Sequence, residues 1–245
     1  MNKDTLIVTG SMGRIGKIIC NYLRDEYEII EIDLNASNEV NCHKVDISDF
    51  DALKKTFDQI GTVSSVIHLA AVSNPNASWS EVIKNNIIAT RNIFECSKLF
   101  NVPKVILAST CHTMGGYSLF SSEQRPSFFT KKIKIDLPVR PNGDYASSKV
   151  FAETLARQYY EQHGIHSICL RIGFFCKKET TSKIRNSFLK SIWLSHRDMI
   201  QLFNKSLQTN AGFGIYFGVS KNKHRIFDLS KARKEIGFKP QDGLG

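Results

Sequence analysis

The feature that most constrains the fold is an apolar run that ends in a glycine-rich turn and passes directly into a helical pattern. TLIVTG at 5–10 is followed at once by SMGRIG, so that Gly10, Gly13 and Gly16 are spaced GxxGxxG. Such a turn requires glycine, and the N–H groups at the start of the following helix attract phosphate. The order strand, triplet and helix favours a dinucleotide-binding βαβ unit over a glycine-rich turn without a ligand.

The same alternation of β-branched runs and helical spacing continues along the chain. Because nearly continuous apolar strands separated by helices are buried on both faces, they indicate a parallel sheet. The sequence therefore predicts the α/β class with a doubly wound parallel sheet, the Rossmann arrangement. The predicted strands after the first are 27–34, 42–47, 65–70, 104–109 and 167–173, and the helices are 14–25, 49–59, 79–100 and 144–163.

The pattern loosens after residue 173. A helix is predicted at 195–207, with Ser195 as its N-cap and Asp198 closing a capping box. A strand at 213–218 and a short helix at 229–237 follow. We expect 1–173 to form the NAD-binding domain with the catalytic residues, and 174–245 to form a small C-terminal substrate lobe packed on it.

Composition limits the partners. The net charge is +10, but the basic residues are dispersed and no nucleic-acid-binding module is visible. Nucleic acid is therefore not expected as a partner. A solvated surface or an anionic small substrate explains the charge better. The six cysteines form no CxxC pair and no cluster with histidine, which predicts free thiols and no metal. The apolar run near the N-terminus is too short for a signal peptide or membrane span, so we expect a cytoplasmic protein.

A carboxylate ends the second predicted strand. In this fold, Asp33 at that position accepts hydrogen bonds from the adenosine ribose hydroxyls and repels a 2′-phosphate. The residues that follow are Leu34, Asn35 and Ala36, with no arginine, which favours NAD over NADP. Asp46, at the end of the third strand, is predicted to meet the adenine amino group, with a helix N-cap as the alternative.

Tyr145 and Lys149 lie one helical turn apart at the start of the predicted helix 144–163. This spacing is common on solvated helix surfaces, so it indicates chemistry only together with the glycine motif upstream. A free phenol has a pKa of about 10, and neighbouring positive charge is needed to make it a base near neutral pH. In that context the pair is predicted to transfer a proton.

Several short motifs carry a family resemblance. HLAA at 68–71, ILAST at 106–110, YASSK at 145–149 and FDLSKARKEIGFKP at 227–240 resemble extended short-chain dehydrogenases/reductases, the NAD-dependent epimerase/dehydratase superfamily. ASTCHTMGGY at 108–117, RPNGDYASSK at 140–149 and WLSHRDM at 193–199 are similar to uronate dehydrogenases. The resemblance implies an NAD-dependent oxidoreductase that oxidises the C1 hydroxyl of a hexuronic acid or related sugar to the lactone.

The resemblance also implies roles for individual residues. Tyr145 would be the general base, Lys149 together with the oxidised nicotinamide would favour the phenolate, and Thr110 would hydrogen-bond the reacting oxygen, with Ser109 as the alternative. Asn86 would orient the local network, with Asn85 competing for that role. The implied cofactor-binding residues are Gly10, Gly13, Arg14, Ile15, Gly16, Asp33, Asp46, Ile47, Leu69, Ala70, Ala71, Asn86, Tyr145 and Lys149.

The substrate side departs from the uronate dehydrogenase pattern. Ser73 matches a position that contacts sugar hydroxyls, and His112 matches a histidine at the edge of the pocket, with a structural loop histidine as the alternative. Cys111 stands in place of an asparagine and Phe174 in place of a serine, so hydrogen bonds to the substrate are lost there. The expected carboxylate-binding arginine has no direct match, and Lys183 or Arg185 would replace it.

Other functions remain open from the sequence. A sugar-nucleotide epimerase or dehydratase of the same superfamily is one, and a non-catalytic NAD(P)-binding sensor is another. By resemblance, the helices predicted at 79–100 and 144–163 would pair across a two-fold axis, so a homo-oligomer is expected.

Overall fold

A computed structural model describes residues 3–37, 40–74, 76–118, 132–176 and 184–245. In this part of the chain, seven strands form one sheet in the order β3-β2-β1-β4-β5-β6-β7, and every neighbouring pair is parallel. The predicted α/β class and doubly wound sheet are confirmed. The strands are β1 (Asp4–Thr9), β2 (Tyr27–Asp33), β3 (Cys42–Lys44), β4 (Ser65–His68), β5 (Lys104–Thr110), β6 (His166–Ile172) and β7 (Phe213–Gly218).

The helices cross over between the strands. A 3₁₀ helix, Cys111–Ser118, directly follows β5 and was not predicted. The α-helices are α1 (Arg14–Leu23), α2 (Phe50–Ile60), α3 (Trp79–Val82), α4 (Ala89–Leu99), α5 (Asp144–His163), α6 (Ser187–Ser191), α7 (His196–Gln208) and α8 (Ser230–Glu235).

The helix predicted at 79–100 is interrupted by a π-helical turn, Ile83–Ile88, between α3 and α4. The segment begins with a capping box, in which Ser78 accepts from the Glu81 N–H and Glu81 accepts from the Ser78 N–H. The wider turn carries Asn86, whose side chain is 1% exposed. Single π turns of this kind are frequent at functional sites.

The sheet is buried on both faces, as its sequence pattern requires. Leu6 and Val8 of β1 belong to the apolar cluster on one face, while Ile7 between them belongs to the cluster on the other. This alternation is the period of two expected of a strand. Helix α7 packs against α1 on the first face, and α2 packs against α4 on the second.

The chain after residue 173 contributes to the same sheet. β7 pairs with β6 over its whole length, with Ser167 opposite Phe213 and Ile172 opposite Gly218. The division into a domain at 1–173 and a lobe at 174–245 stays a prediction. The seventh strand shows that the later segment also helps to build the central sheet.

Ser195 caps α7 as predicted, since its Oγ accepts from the Asp198 N–H at 3.0 Å. The capping box, however, is wrong. The buried Asp198 carboxylate accepts instead from Ser220 Oγ at 2.6 Å and from the N–H groups of Gln241 and Asp242 at 2.7 and 3.1 Å. Asp198 therefore ties the C-terminal segment to α7 through these three hydrogen bonds.

Candidate active site

A cavity of about 400 Å³ opens at the carboxyl ends of the central strands. It is bordered by the glycine turn after β1, the end of β5, the first turn of α5 and the segment after β6. A second cavity, of about 220 Å³, lies over the ends of β2 and β3. The two share Gly10, Gly13, Leu69 and Ala71, so they lie side by side along the glycine turn.

The glycine turn leaves no room for side chains. Gly10 has φ +72°, and a Cβ there would lie 2.6 Å from the Ala70 nitrogen. A Cβ on Gly16 would lie 2.4 Å from the Gly10 oxygen. Gly13 precedes α1, and no side chain of the described residues caps that helix. Its first N–H groups are therefore available to an anion in the crevice, as a pyrophosphate site requires.

Asp33 lies at the second cavity and is held by the backbone. Its two carboxylate oxygens accept from the Met12 N–H at 3.1 Å and from the Asn35 N–H at 2.9 Å. Each oxygen keeps a second lone pair, so the side chain can still accept hydrogen bonds from a ligand. Together with the uncapped helix start, this arrangement fits the adenosine half of an adenine dinucleotide.

Asp46 also lines the second cavity, but its carboxylate is engaged. It accepts from the Ser48 N–H and hydroxyl at 3.0 and 2.7 Å, and Lys84 forms a salt bridge to it at 2.9 Å. Burial alone would raise the pKa of Asp46, but these partners lower it overall. A contact with adenine stays a prediction. The alternative of an Asp46 N-cap is not what the structure shows, since Asp49 caps α2.

Thr110, Tyr145 and Lys149 meet in the first cavity. The Thr110 hydroxyl lies near the Tyr145 phenol and lowers its pKa, and Lys149 Nζ lies 6.0 Å from the centre of the Tyr145 ring. The hydroxyl of Ser109, by contrast, donates to Glu153 Oε1 at 2.6 Å. The geometry therefore favours Thr110 over Ser109 as the partner of the tyrosine.

Burial is the largest influence on the pKa values of Tyr145 and Lys149. It raises the pKa of Tyr145 to about 12, although Thr110 acts in the opposite direction. It also lowers the pKa of Lys149 to about 8, against the influence of Cys169 and Glu153. The penalty for burying a phenolate therefore outweighs the effect of Thr110 on Tyr145. The lower pKa expected from Lys149 together with bound NAD stays a prediction.

A buried polar layer supports the pair from below. Asn86 accepts from the Val72 N–H at 2.8 Å and donates to the Ser148 hydroxyl at 3.0 Å. It lines neither cavity, whereas Asn85 lines the second one. His68 lies between the hydroxyls of Thr9 and Thr90, and burial followed by the charge of Lys149 lowers its pKa to about 3.

The structure brings together most of the residues predicted to bind the cofactor. Asp33, Asp46, Ile47 and Ala70 line the second cavity. Asn86 is the exception, because it lines neither cavity. The first cavity is lined by Gly10, Gly13, Arg14, Ile15, Gly16, Leu69, Ala71, Tyr145 and Lys149.

The predicted substrate residues are divided. Ser73, His112 and Phe174 line the first cavity. Cys111 does not: it is fully buried, and its Sγ donates to the Arg171 carbonyl at 3.1 Å, so its predicted place at the substrate is corrected. Arg185 is exposed and does not line the cavity either. Lys183 lies outside the described residues.

Other lining residues were not predicted. Phe175 joins Phe174 in the wall, and its ring stacks on His196 with centroids 4.8 Å apart. His112 contacts the Phe188 ring of α6 edge-on at 6.4 Å and shares a hydrogen bond with Asn142 at 3.1 Å. In the sequence, only the position of Phe175 next to Phe174 indicates that it belongs to the cavity wall. The contacts with α6 and α7 depend on the tertiary fold.

Neither a metal-binding group nor a membrane-spanning helix is found among the described residues. No group of three or more histidine, cysteine, aspartate or glutamate side chains is arranged to hold a metal ion. None of the helices in that part of the chain has both the length and the apolar character needed to cross a membrane.

Fold and site together define a dinucleotide-binding α/β protein with a tyrosine–lysine pair in the crevice beside the glycine turn. The model of the NAD dependent epimerase/dehydratase family matches residues 6–190. The chain belongs to this family, and the fold and resemblance predicted from the sequence are confirmed.

Individual relatives are similar along almost the whole chain. The NAD-dependent glucose-6-phosphate dehydrogenase of Haloferax volcanii is 28% identical, over 97% of this chain and 93% of its own length. The uronate dehydrogenase of Agrobacterium fabrum is 28% identical, over 97% of this chain and 84% of its own. A mutant uronate dehydrogenase from Agrobacterium tumefaciens in complex with NAD has a TM-score of 0.84 and 26% identity, covering 98% of this chain and 86% of that one.

Proposed function

We propose that the protein is an NAD-dependent dehydrogenase that oxidises the C1 hydroxyl of a hexuronic acid or a related sugar to the lactone. The observation that carries the proposal is that Tyr145, Thr110 and Lys149 line one cavity together with the glycine turn. A phenol, a hydroxyl and a buried ammonium beside a dinucleotide crevice are suited to removing a proton from an alcohol.

The residues have separate tasks in this reaction. Thr110 binds the C1 oxygen, and Tyr145 takes the proton of the C1 hydroxyl as the C1–H bond breaks. NAD, when bound, accepts the hydride with both electrons of that bond. The C1–O bond then becomes a carbonyl, which in a cyclic sugar is the lactone. Lys149 would hold the ribose hydroxyls on the nicotinamide side of a bound NAD, and it adds positive charge next to the phenol.

NAD is the dinucleotide that the site favours. Asp33 occupies the position of the ribose-binding carboxylate and would repel a 2′-phosphate. Gly10, Gly13 and Gly16 give the pyrophosphate close access to the backbone, with Arg14 and Ile15 at the start of α1.

The sugar is recognised mainly by Ser73 and His112. Phe174 and Phe175 supply an apolar wall. Arg14 and Lys149 are the only arginine and lysine side chains among the described residues that line this cavity. Of the two residues predicted to bind a carboxylate on the sugar, Arg185 does not line the cavity and Lys183 lies outside the described residues. For this reason we propose the broader class, sugars with a free C1 hydroxyl, with hexuronates as the first candidates.

The test is NAD reduction with a panel of sugars. We expect NADH to form with at least one of glucuronate, galacturonate, glucose 6-phosphate and a neutral aldose, and faster with NAD than with NADP. If NAD binds but no sugar is oxidised, the dehydrogenase proposal fails and a sensor is favoured. If a UDP-sugar is converted without net NADH formation, an epimerase is favoured.

The cellular setting is also a proposal. All six cysteines are free thiols, which supports a reducing compartment such as the cytoplasm. Assembly as a homo-oligomer is proposed from the family resemblance, with α3, α4 and α5 at the interface. Gel filtration with light scattering would test it, and a single-chain mass at micromolar concentration would contradict it.

A further inference from the structure

A buried ion pair lies directly beneath the tyrosine and lysine. Glu153 follows Lys149 by one turn of α5, and Arg171 projects from β6. The Arg171 guanidinium donates two hydrogen bonds to the Glu153 carboxylate, from Nε to Oε1 at 2.9 Å and from Nη2 to Oε2 at 2.8 Å. The two side chains are 4% and 2% exposed, so neither charge is solvated.

This ion pair is linked to the end of β5. The Ser109 hydroxyl donates to Glu153 Oε1 at 2.6 Å, and Ser109 lies directly opposite Arg171 in the sheet. The next residue along β5 is Thr110, which lies near the Tyr145 phenol. Glu153 thus contacts the strand that carries one member of the catalytic group and shares a helix with the other two.

Stability alone does not account for the pair. Removing two charges from water costs free energy that a buried salt bridge recovers only with complete hydrogen bonding. Here Arg171 Nη1 is buried without a hydrogen-bond partner. A pair of apolar side chains of similar volume would serve packing at least as well. The buried charges of Glu153 and Arg171 therefore indicate a role beyond packing.

The charges around Lys149 indicate that role. Among the described residues, the titratable groups near its ammonium are Tyr145 and Glu153 on α5, His68 on β4 and Cys169 on β6, with the Arg171 guanidinium bound to Glu153. Burial keeps His68 neutral, with a pKa of about 3, and raises the pKa of the Cys169 thiol well above its usual value. With Tyr145 also protonated near neutral pH, Glu153 is the anion of this group.

We propose that Glu153, held by Arg171, is a positioning residue that keeps the buried Lys149 protonated and fixes the end of β5 that carries Thr110. The inference rests on the proposed function, since it concerns how Lys149 and Thr110 are prepared for the reaction. The direction follows from electrostatics. Burial lowers the pKa of Lys149, so that the ammonium loses its proton more easily. The nearby Glu153 carboxylate raises that pKa and so opposes the loss.

The central experiment is Glu153→Gln in the full-length protein. The titration of Lys149 is followed by NMR on ¹³C-lysine-labelled protein, with the resonance assigned by its loss in Lys149→Arg. We expect the midpoint to move to lower pH by about one unit in Glu153→Gln. Since the cation is lost as pH rises, the alkaline limb of the kcat/KM profile should move in the same direction.

Glu161→Gln is the matched control. Glu161 lies on the same helix and pairs with Arg157 at 2.8 Å, but both side chains are more than half exposed. We expect neither the Lys149 midpoint nor the pH profile to change. Glu153→Asp retains the charge and should restore a midpoint close to that of the unsubstituted protein.

Glu153→Gln leaves a buried guanidinium without its partner and could prevent folding. The double variant Glu153→Gln/Arg171→Met removes both charges and keeps the volume similar. Because it also removes the opposing charge of Arg171, it should show a smaller shift of the Lys149 midpoint in the same, downward direction.

Two outcomes would overturn the proposal: an unchanged Lys149 midpoint in every folded variant that lacks the Glu153 charge, or a shifted midpoint with an unmoved pH profile. Failure of the proposed function looks different, because it is seen as a lack of sugar oxidation by the unsubstituted protein before any variant is compared.

Discussion

The two sides of the crevice are built in different ways. On the dinucleotide side, backbone groups at strand and helix ends form the surface, and Asp33 is fixed by two backbone N–H groups. On the sugar side, the surface comes from side chains on the 3₁₀ helix, on the segment after β6 and near α6. The first side depends on the chain's local path, whereas the second depends on how distant segments pack.

This difference has a functional consequence. Backbone groups and glycine leave few ways to change the dinucleotide side without losing the fold, so its ligand is constrained. Side chains on packed loops can be exchanged with little effect on the sheet. The chain can therefore share its cofactor chemistry with relatives whose names specify different sugars, such as glucose 6-phosphate and uronate.

The sharpest test of the catalytic centre, where the two sides meet, is Tyr145→Phe. Removing the phenol hydroxyl eliminates the proposed base, so kcat should fall by about 100- to 10,000-fold in a variant that still binds NADH. Tyr160→Phe, an exposed tyrosine on the same helix, is the control and should leave kcat unchanged. Sugar oxidation at an undiminished rate in Tyr145→Phe would contradict the assigned base.

Lys149→Met should separate activity from stability. A pKa of about 8 in place of the ordinary 10.5 means that the buried charge costs roughly 3 kcal/mol at neutral pH. The variant should therefore lose activity and gain up to about that much in free energy of unfolding at pH 7.

The gain should be pH-dependent. The unfolded chain keeps the lysine proton up to its higher pKa, so the unsubstituted protein gains stability as the pH rises from about 8 to 10.5. The advantage of Lys149→Met should shrink over the same interval. Urea denaturation at several pH values would measure it, and an advantage that is constant with pH would contradict the buried cation.

Asp33→Ala tests the dinucleotide side. Losing hydrogen bonds to a charged acceptor costs about 1.5–3 kcal/mol, so the KM for NAD should rise by about 10- to 100-fold. Selectivity against NADP should weaken in the same variant, because the repulsive charge is gone. Asp51→Ala, in the exposed first turn of α2, is a suitable control. Unchanged preference for NAD would mean that Asp33 does not face the ribose.

Phe174→Ser tests the sugar side. The change introduces a hydroxyl into the cavity wall, and we expect the KM for a hexuronate to fall by several-fold, equivalent to about 1 kcal/mol for one hydrogen bond. The KM for NAD should stay constant. If both constants change together, the wall at Phe174 also shapes the dinucleotide side, and the separation of the two sides is less complete than proposed.

Arg185→Ala is expected to have the smallest effect. The side chain is exposed and does not line the cavity, so kcat/KM should change by less than about two-fold. A large rise in KM confined to substrates with a carboxylate would show that the arginine moves onto the sugar when it binds.

Much of the fold was predictable because it repeats a local rule. Apolar strands with helices between them require a parallel sheet buried on both faces, and six of the seven strands were predicted from this pattern as parts of that sheet. The strand at 213–218 was predicted as well, but its place beside β6 was not, because pairing partners depend on the path of the chain in three dimensions. The π turn at Ile83–Ile88 also escaped prediction, since α and π turns tolerate the same residues.

The site shows the same division. Gly10 and Asp33 were predictable because their positions follow from the ends of β1 and β2. Cys111 was placed at the substrate by its position in a motif, but the 3₁₀ helix turns its thiol into the core. Asp198 was assigned to a capping box by spacing, although the C-terminal segment provides better donors.

The sequence alone determined the parallel sheet, the dinucleotide crevice and the one-turn spacing of Tyr145 and Lys149, because each depends on residues that are neighbours along the chain. Only the tertiary structure decided that Ser109 bonds to Glu153, that burial raises the pKa of Tyr145, and that Glu153 and Arg171 lie beneath the pair. These outcomes depend on contacts between distant segments and on the loss of water around charges, and neither is encoded in local spacing.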